Sequence, residues 1–342
     1  MLKKLIAWSA QFSHLPWRKE RTLYRTLVSE IMLQQTTVAT VLGHFERFLA
    51  EYPTIEKLAA ATPEQLTISW RGLGYYRRAR NLQKACAFIV EKFQGEIPLD
   101  YETLTSIPGI GPYTASAIIG IGADQPALAV DANLERVLAR LFGLNSEKGL
   151  KLQKEIQAKF QTGEIYKKEF SKLSSRAINE ALMDLGRNFC RANKASCELC
   201  PMSSECVAAK EKNALAYPRG EKKVQKFYEL ELLRYVVKKK NKVLVYKKQD
   251  SEWLAGQYEL PTFVLSSEDK KFKQYPALKT KLSAKPKMVL KSGITKYNIT
   301  NYIKVPSEAE VKKYLAAGYE FMEISPKSNL GSTTFKILEK MK

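Results

Sequence analysis

Four cysteines, Cys190, Cys197, Cys200 and Cys206, fall within seventeen residues as C-x6-C-x2-C-x5-C. The opening residues, MLKKLIAWSAQFSHLPWRKE, hold too short an apolar run and no small-residue cleavage site for a secretory signal. A cytoplasmic setting is therefore expected, where disulfides are rare and a metal centre is the better use of four thiols. Zinc is one alternative. Zinc ribbons usually show two C-x2-C pairs, and this run has only one. The fifth cysteine, Cys86, sits alone in the helical pattern NLQKACAFIVEKF and reads as a small core residue.

At 342 residues the chain has room for two or three domains, at roughly 100–200 residues each. No 18 apolar residues run together, which excludes a membrane-spanning helix. Lys and Arg total 56 against 35 Asp and Glu, a net charge of +21 that favours a polyanionic partner. No basic amphipathic segment points to a lipid surface, and no coiled-coil repeat argues against a monomer. Residues 1–210 read as helices, with apolar residues at three- and four-residue spacing over 21–35, 38–50, 77–93, 113–121, 132–142 and 176–190. Beyond Phe227 the texture changes to β-rich runs, YELELLRYVV, KVLVYKK and YNITNYIKV, with helices at 307–316 and after Gly331. The expected organisation is a helical domain over 1–208 containing the cysteine loop 190–206, a polar linker over 209–226, and a smaller α+β domain over 227–342.

Three segments carry chemistry. In Ile107-Pro-Gly-Ile-Gly-Pro-Tyr-Thr-Ala115, Gly109 and Gly111 permit a tight turn that opens onto a helix. The first N–H groups of that helix can hold a phosphate; a plain helix–helix turn is the alternative. Asp131, in Val130-Asp131-Ala-Asn133-Leu-Glu-Arg-Val137, stands where a helix begins. It reads as an N-cap whose carboxylate the helix dipole and N–H bonds keep ionised. Glu30 lies at the edge of the apolar arc set by Leu23, Leu27 and Ile31. It is either a surface glutamate or a partly desolvated acid with a raised pKa. One acid and one anion form the pattern expected for glycosidic bond cleavage through an oxocarbenium-like state.

SEIMLQQT, GLGYYRRARN (72–81), IPGIGPYTA, VDANLERVLAR (130–140), MDLGRNFC (183–190) and the cysteine spacing together resemble the helix-hairpin-helix DNA glycosylases with an iron–sulfur cluster. Among these the chain is most similar to the adenine DNA glycosylase (MutY) family. The resemblance implies that Glu30 protonates adenine and Asp131 stabilises the sugar cation, with Tyr113 and Asn133 supporting the pocket. It implies a 4Fe-4S cluster on Cys190, Cys197, Cys200 and Cys206. Between the first two cysteines, Arg191 and Lys194 would face phosphate. Gln35, Thr36 and Tyr75 match positions that wedge into the duplex as adenine is flipped out, and Arg18 matches a pocket-lining segment. Where related glycosylase-lyases carry a Schiff-base lysine after the hairpin, this chain has Tyr113, so base excision without an efficient lyase step is expected. The partner implied is double-stranded DNA with adenine opposite 8-oxoguanine or guanine.

In the C-terminal part, Glu252-Trp-Leu-Ala-Gly-Gln-Tyr-Glu-Leu-Pro261 is similar to a signature of the family's Nudix-like domains. The acidic box needed for pyrophosphate cleavage is absent between Pro261 and Pro286, which implies a binding module. The loop that in relatives reads Phe-Ser-His is here Ile294-Thr295-Lys296. Thr295 keeps a hydroxyl, Lys296 brings a charge for phosphate, and the aromatic donor is lost.

Overall fold

The computed structural model describes residues 2–220, 226–249, 251–278 and 285–341. The chain divides into two units. One is helical and comprises 1–61 and 77–222; the other comprises 62–76 and 223–342.

The helical unit is built from amphipathic helices with explicit start signals. Thr22 caps Leu23–Leu33 by accepting from the Arg25 N–H, and Asp131 caps Ala132–Phe142. Ser174 caps Ser175–Asn188 in the same way. Ala132–Phe142 ends at Gly143, whose left-handed φ of 65° closes the last turn. The run expected over 38–50 breaks at Gly43 and His44 into two short helices, Val38–Leu42 and Phe45–Glu51. Leu134, Val137, Leu138 and Leu141 of one helix meet Ile178, Ala181, Leu182 and Leu185 of another in one core cluster. Each such fully buried side chain contributes about 1.5–3 kcal/mol. Where the two helices pass, a Cβ on Gly186 would stand 2.2 Å from Asn133 Oδ1, so only glycine allows the approach.

The polar stretch expected to be a linker is partly helical-unit structure. Val207–Lys210 is a helix with Ala208 buried in the core. The Tyr217 carbonyl accepts from Arg140 Nε at 3.0 Å, and the Lys148 N–H donates to the Arg219 carbonyl at 2.9 Å. Small apolar residues spaced among the charges give this stretch a face to bury. Of the expected 209–226 linker, residues 221–225 lie outside the described residues. The other difference concerns 62–76, which separates from the helices flanking it in sequence.

The second unit is α+β with two small sheets. Its strands are β1 (Tyr228–Tyr235), β2 (Lys238–Lys239), β3 (Lys242–Lys247), β4 (Tyr258–Glu259), β5 (Thr262–Ser267), β6 (Met288–Ile294), β7 (Tyr297–Lys304) and β8 (Glu320–Glu323). One sheet runs β5-β1-β7-β6, with β1 and β7 parallel and the outer pairs antiparallel. In the other, β3 pairs with β2, β4 and β8. Helices Glu308–Ala316 and Ser332–Lys340 complete the unit. Burial alone would raise the Glu259 carboxyl, but Arg234 at 2.6 Å and Lys248 at 3.9 Å outweigh it and hold it below the usual range. Thr334 also donates to Glu259, at 2.7 Å, joining the last helix to the sheet. Among the described residues no helix is long and apolar enough to cross a membrane.

Candidate active site

Glu30 lies in the last two turns of Leu23–Leu33, and its side chain is 5% exposed. The Tyr113 hydroxyl donates to Glu30 Oε2. Burial pushes the Glu30 carboxyl up to about 7; the negative charges of Asp131 and Glu180 add to the shift, while the Tyr113 bond and Arg18 oppose it. Near neutral pH the group is thus divided between acid and anion, as proton donation requires. Tyr113 is delivered by the turn expected to present it. Gly111 precedes Pro112 at the start of Pro112–Ala117, and a π-helical turn, Ile118–Gly122, follows. Burial, with the charge of Glu30 next, raises Tyr113 well above 10, so it remains a hydrogen-bond donor.

Asp131 caps its helix as the sequence suggested, accepting from the N–H groups of Asn133 (2.9 Å) and Leu134 (2.7 Å), both at Oδ1. Burial raises the Asp131 carboxyl above its ordinary 3.8 despite those bonds, because lost hydration outweighs the cap. Asn133 is committed within the fold: its amide donates to the Met183 carbonyl at 3.0 Å, and its oxygen accepts from Arg136. Arg136 Nε also donates to the Cys190 carbonyl at 2.8 Å.

Arg18 lies close enough to Glu30 for its charge to act on that carboxyl. Its side chain is 7% exposed, and its guanidinium engages Asp184 at 2.9 and 3.2 Å, with Glu180 3.6 Å away. A buried carboxylate, Asp184, and a half-buried one, Glu180, both on Ser175–Asn188, hold it by charge. Gln35 is exposed, and Thr36 is half-buried and accepts from Arg78 at 2.9 Å. Arg78, buried, also donates to the carbonyls of Ile31, Met32 and Gln34, so it caps the helix carrying Glu30 and shapes the turn after it. Sequence reading missed Arg78. The signal was present: it shares a face with Leu82, Ala85, Cys86 and Ile89. Gln35 (φ 53°) and Tyr75 (φ 45°) both hold left-handed backbone, which non-glycine residues adopt at a cost in strain. Tyr75 is 54% exposed and belongs to the 62–76 segment of the second unit. Cys86 is a buried core thiol, pushed up to about 12 by burial.

The two hairpin glycines differ. Gly109 has φ 93°, and a Cβ there would stand 2.6 Å from the Asn81 carbonyl oxygen. Gly111 has no positive φ, and a Cβ there would meet nothing. Gly109→Ala is therefore expected to lose at least about 2 kcal/mol of stability. Gly111→Ala should melt within a degree or two of wild type and instead weaken DNA binding. Thermal melts and a duplex titration of both variants check this; a stable Gly109→Ala would contradict it.

Cys190, Cys197, Cys200 and Cys206 line one pocket, with Arg140, Leu185 and Phe189 among its other walls. Arg140 Nη1 donates to Cys190 Sγ at 3.3 Å, and Cys206 Sγ lies 3.2 Å from the Arg140 carbonyl. Among the described residues no three His, Cys, Asp or Glu side chains converge on a single ion. Four thiols on one pocket are the donor set that a 4Fe-4S cluster takes, one to each iron. In the intervening loop Arg191 and Lys194 are exposed, although Arg191 Nε also donates to the Arg187 carbonyl at 3.1 Å.

In the second unit, Thr295 (φ 52°) and Lys296 form the two-residue turn between β6 and β7. Lys296 differs from expectation. Its ammonium pairs with Asp269 at 2.8 Å and sits 4.5 Å from the Tyr228 ring centre. Asp269 also accepts from the Tyr297 hydroxyl at 2.6 Å, and Lys296 holds it well below the usual carboxylate range. A carboxylate on the chain itself thus shares the charge expected to meet phosphate.

A buried carboxyl raised to about 7, a capped aspartate whose charge reaches it and a glycine turn opening onto a helix occur together here, and comparison with known proteins points to base excision repair. The sequence model of HhH-GPD superfamily base excision DNA repair proteins matches residues 28–162. Over these residues the chain is similar to this superfamily. Curated relatives that it matches include adenine DNA glycosylases. It is 35% identical to that of Buchnera aphidicola subsp. Schizaphis graminum over 243 residues, 70% of this chain and 65% of the relative. To that of Homo sapiens it is 35% identical over 214 residues, 60% of this chain and 38% of the relative. The chain therefore spans less than two thirds of the length of these relatives. The solved structure of a thermostable thymine-DNA glycosylase superposes with a TM-score of 0.52 at 24% identity, covering 61% of this chain and 95% of that one, which shows the shared helical fold.

Proposed function

We propose that this protein is a monofunctional adenine DNA glycosylase of base excision repair, hydrolysing the N-glycosidic bond of adenine opposite 8-oxoguanine or guanine. The observation that carries the reading is the buried Glu30–Tyr113 pair beside Asp131. Glu30 delivers a proton to a ring nitrogen of the flipped base, which makes adenine a neutral leaving group. Tyr113 then steadies the carboxylate left behind. Asp131 offers its charge to the oxocarbenium-like sugar, with Oδ1 held by two N–H bonds. Tyr113 has no amine, so no Schiff base forms and the strand stays intact at the abasic site.

The four cysteines would hold a 4Fe-4S cluster, whose contribution is to fold the loop carrying Arg191 and Lys194 against the helical core rather than to react. Gly111 leaves room for a phosphate to approach the N–H groups of Pro112–Ala117. The second unit is a binding module for the base opposite adenine. The Asp269 pairing of Lys296 favours a turn that reads by shape and by Thr295 over one that grips phosphate. A duplex-binding monomer is the expected state.

The test is single-turnover adenine release from duplexes with adenine opposite 8-oxoguanine, guanine or thymine, with and without piperidine, alongside borohydride trapping. Expected are release opposite 8-oxoguanine and guanine, strand breaks only after piperidine, and no trapped adduct. A trapped adduct would overturn the monofunctional assignment. Absence of release from every duplex would leave a DNA-binding protein without turnover.

A further inference from the structure

We propose that Arg71 is a positioning residue that clamps the Tyr75 segment to the second unit, so that the unit reading the opposite base also sets the tyrosine that meets it. The proposal rests on the adenine glycosylase reading and adds to it a residue and a route. Residues 62–76 leave the helical unit after Ala61 and return at Arg77, yet they divide with the C-terminal residues. Pro63–Ser69 is a helix closed by a reciprocal capping box between Thr62 and Gln65. Trp70 is fully buried, and its indole N–H donates to the Gly74 carbonyl at 3.0 Å. Gly72 (φ 99°), Gly74 (φ 69°) and Tyr75 (φ 45°) complete a turn of left-handed residues. The backbone of Tyr75 is therefore set by whatever holds 70–74.

Within this unit Arg71 grips the C-terminal residues. Nη1 donates to the Pro326 carbonyl at 3.2 Å, Nη2 donates to the Ser328 carbonyl, and the guanidinium lies 4.3 Å over the Phe335 ring. A planar fork that grips two carbonyls and stacks on a ring suits arginine and no other side chain. The turn it grips is itself pinned. The Ser325 N–H donates to Ser328 Oγ at 2.9 Å, and Asn329 Nδ2 donates to the Gly256 carbonyl at 3.1 Å. The Tyr258 N–H donates to the Asn329 carbonyl at 2.8 Å. This brings the turn to the Trp253–Tyr258 stretch. The Trp253 ring lies 5.2 Å from that of Tyr297, whose hydroxyl shares Asp269 with Lys296. Packed and hydrogen-bonded contacts thus run without a gap from Arg71 to the Thr295–Lys296 turn.

The test compares Arg71→Ala, Arg71→Lys, Tyr75→Ala and the Arg71→Ala/Tyr75→Ala double variant. Single-turnover release opposite 8-oxoguanine should fall about tenfold in Arg71→Ala and change less than twofold opposite guanine. Arg71→Lys should not restore it, because an ammonium cannot span both carbonyls. The double variant should be no slower than Tyr75→Ala alone. Equal losses on both duplexes, or losses that multiply in the double variant, would overturn the proposal. Amide hydrogen exchange gives a readout without substrate: Arg71→Ala should speed exchange in 62–76 and 323–331 and leave 132–142 unchanged. Unchanged exchange in 62–76 would also overturn the clamp. If wild type released adenine from no duplex, the glycosylase reading would fail, and exchange alone would decide the clamp.

Discussion

Glu30→Gln is expected to lose adenine excision by about 10³-fold while binding the mispair within twofold of wild type. The amide keeps the size of the side chain and can still accept from Tyr113, but it has no proton to give at the required strength. The same variant should be more stable than wild type at high pH. Burial raises the Glu30 carboxyl from 4.5 to about 7. Between those values the folded protein binds a proton that the unfolded chain does not, so stability falls as pH rises through the window. The full cost above pH 7 is about 3 kcal/mol, at about 1.4 kcal/mol per unit. Melts at pH 4.5 should coincide for the two proteins, and at pH 8.5 the variant should melt several degrees higher. Wild-type excision should also decline as pH rises through about 7. Near-normal single-turnover rates in Glu30→Gln, or coincident melts at both pH values, would remove Glu30 from the role of acid.

Asp131→Asn is expected to slow excision by about 10²–10³-fold with little change in melting temperature. Asparagine caps a helix about as well as aspartate, and its oxygen can take the N–H bonds of Asn133 and Leu134. Only the charge is lost. Because burial already raises the Asp131 carboxyl, removing its charge should not destabilise the fold at neutral pH. Asp131→Ala, which also loses the cap, should cost about 1 kcal/mol. The two variants together separate the structural from the chemical work of one carboxylate. A second effect follows from the coupling of the pair. The Asp131 charge helps to raise Glu30, so the residual activity of Asp131→Asn should decline at a lower pH than that of wild type. An unmoved pH limb would mean that the two carboxylates do not sense each other.

Much of the site was legible because it is written in local signals. The Asp131 cap, the glycine turn before Tyr113 and the cysteine spacing each depend on residues close in sequence, and short-range geometry obeys short-range rules. The side chains that escaped reading are those whose meaning depends on a distant partner. Arg18 matches a pocket-lining segment, but its partners Asp184 and Glu180, more than 160 positions away, leave no mark on that segment. Lys296 resembled a phosphate contact until Asp269, 27 positions away, claimed its charge. Arg78 was hidden among the arginines of GLGYYRRARN, although its place on an apolar face marked it as buried. Asn133 is tied to Met183 and Arg136 rather than left free in the pocket.

The sequence by itself determined the class of element at each stretch, the order of a helical unit before an α+β unit, and the identity of the residues able to donate, accept or ligate. Periodicity, caps and breakers act within a few residues, so one dimension suffices to read them. Only the tertiary structure decided which charges are spent and which remain available. It also decided that Glu30 titrates near 7 and that Asp131 is raised despite its cap. It grouped residues 62–76 with the C-terminal residues rather than with the helices around them. The physical reason is common to all three. Desolvation and ion pairing depend on what surrounds a group in space, and neighbours brought together across a hundred or more residues leave no mark on the local pattern.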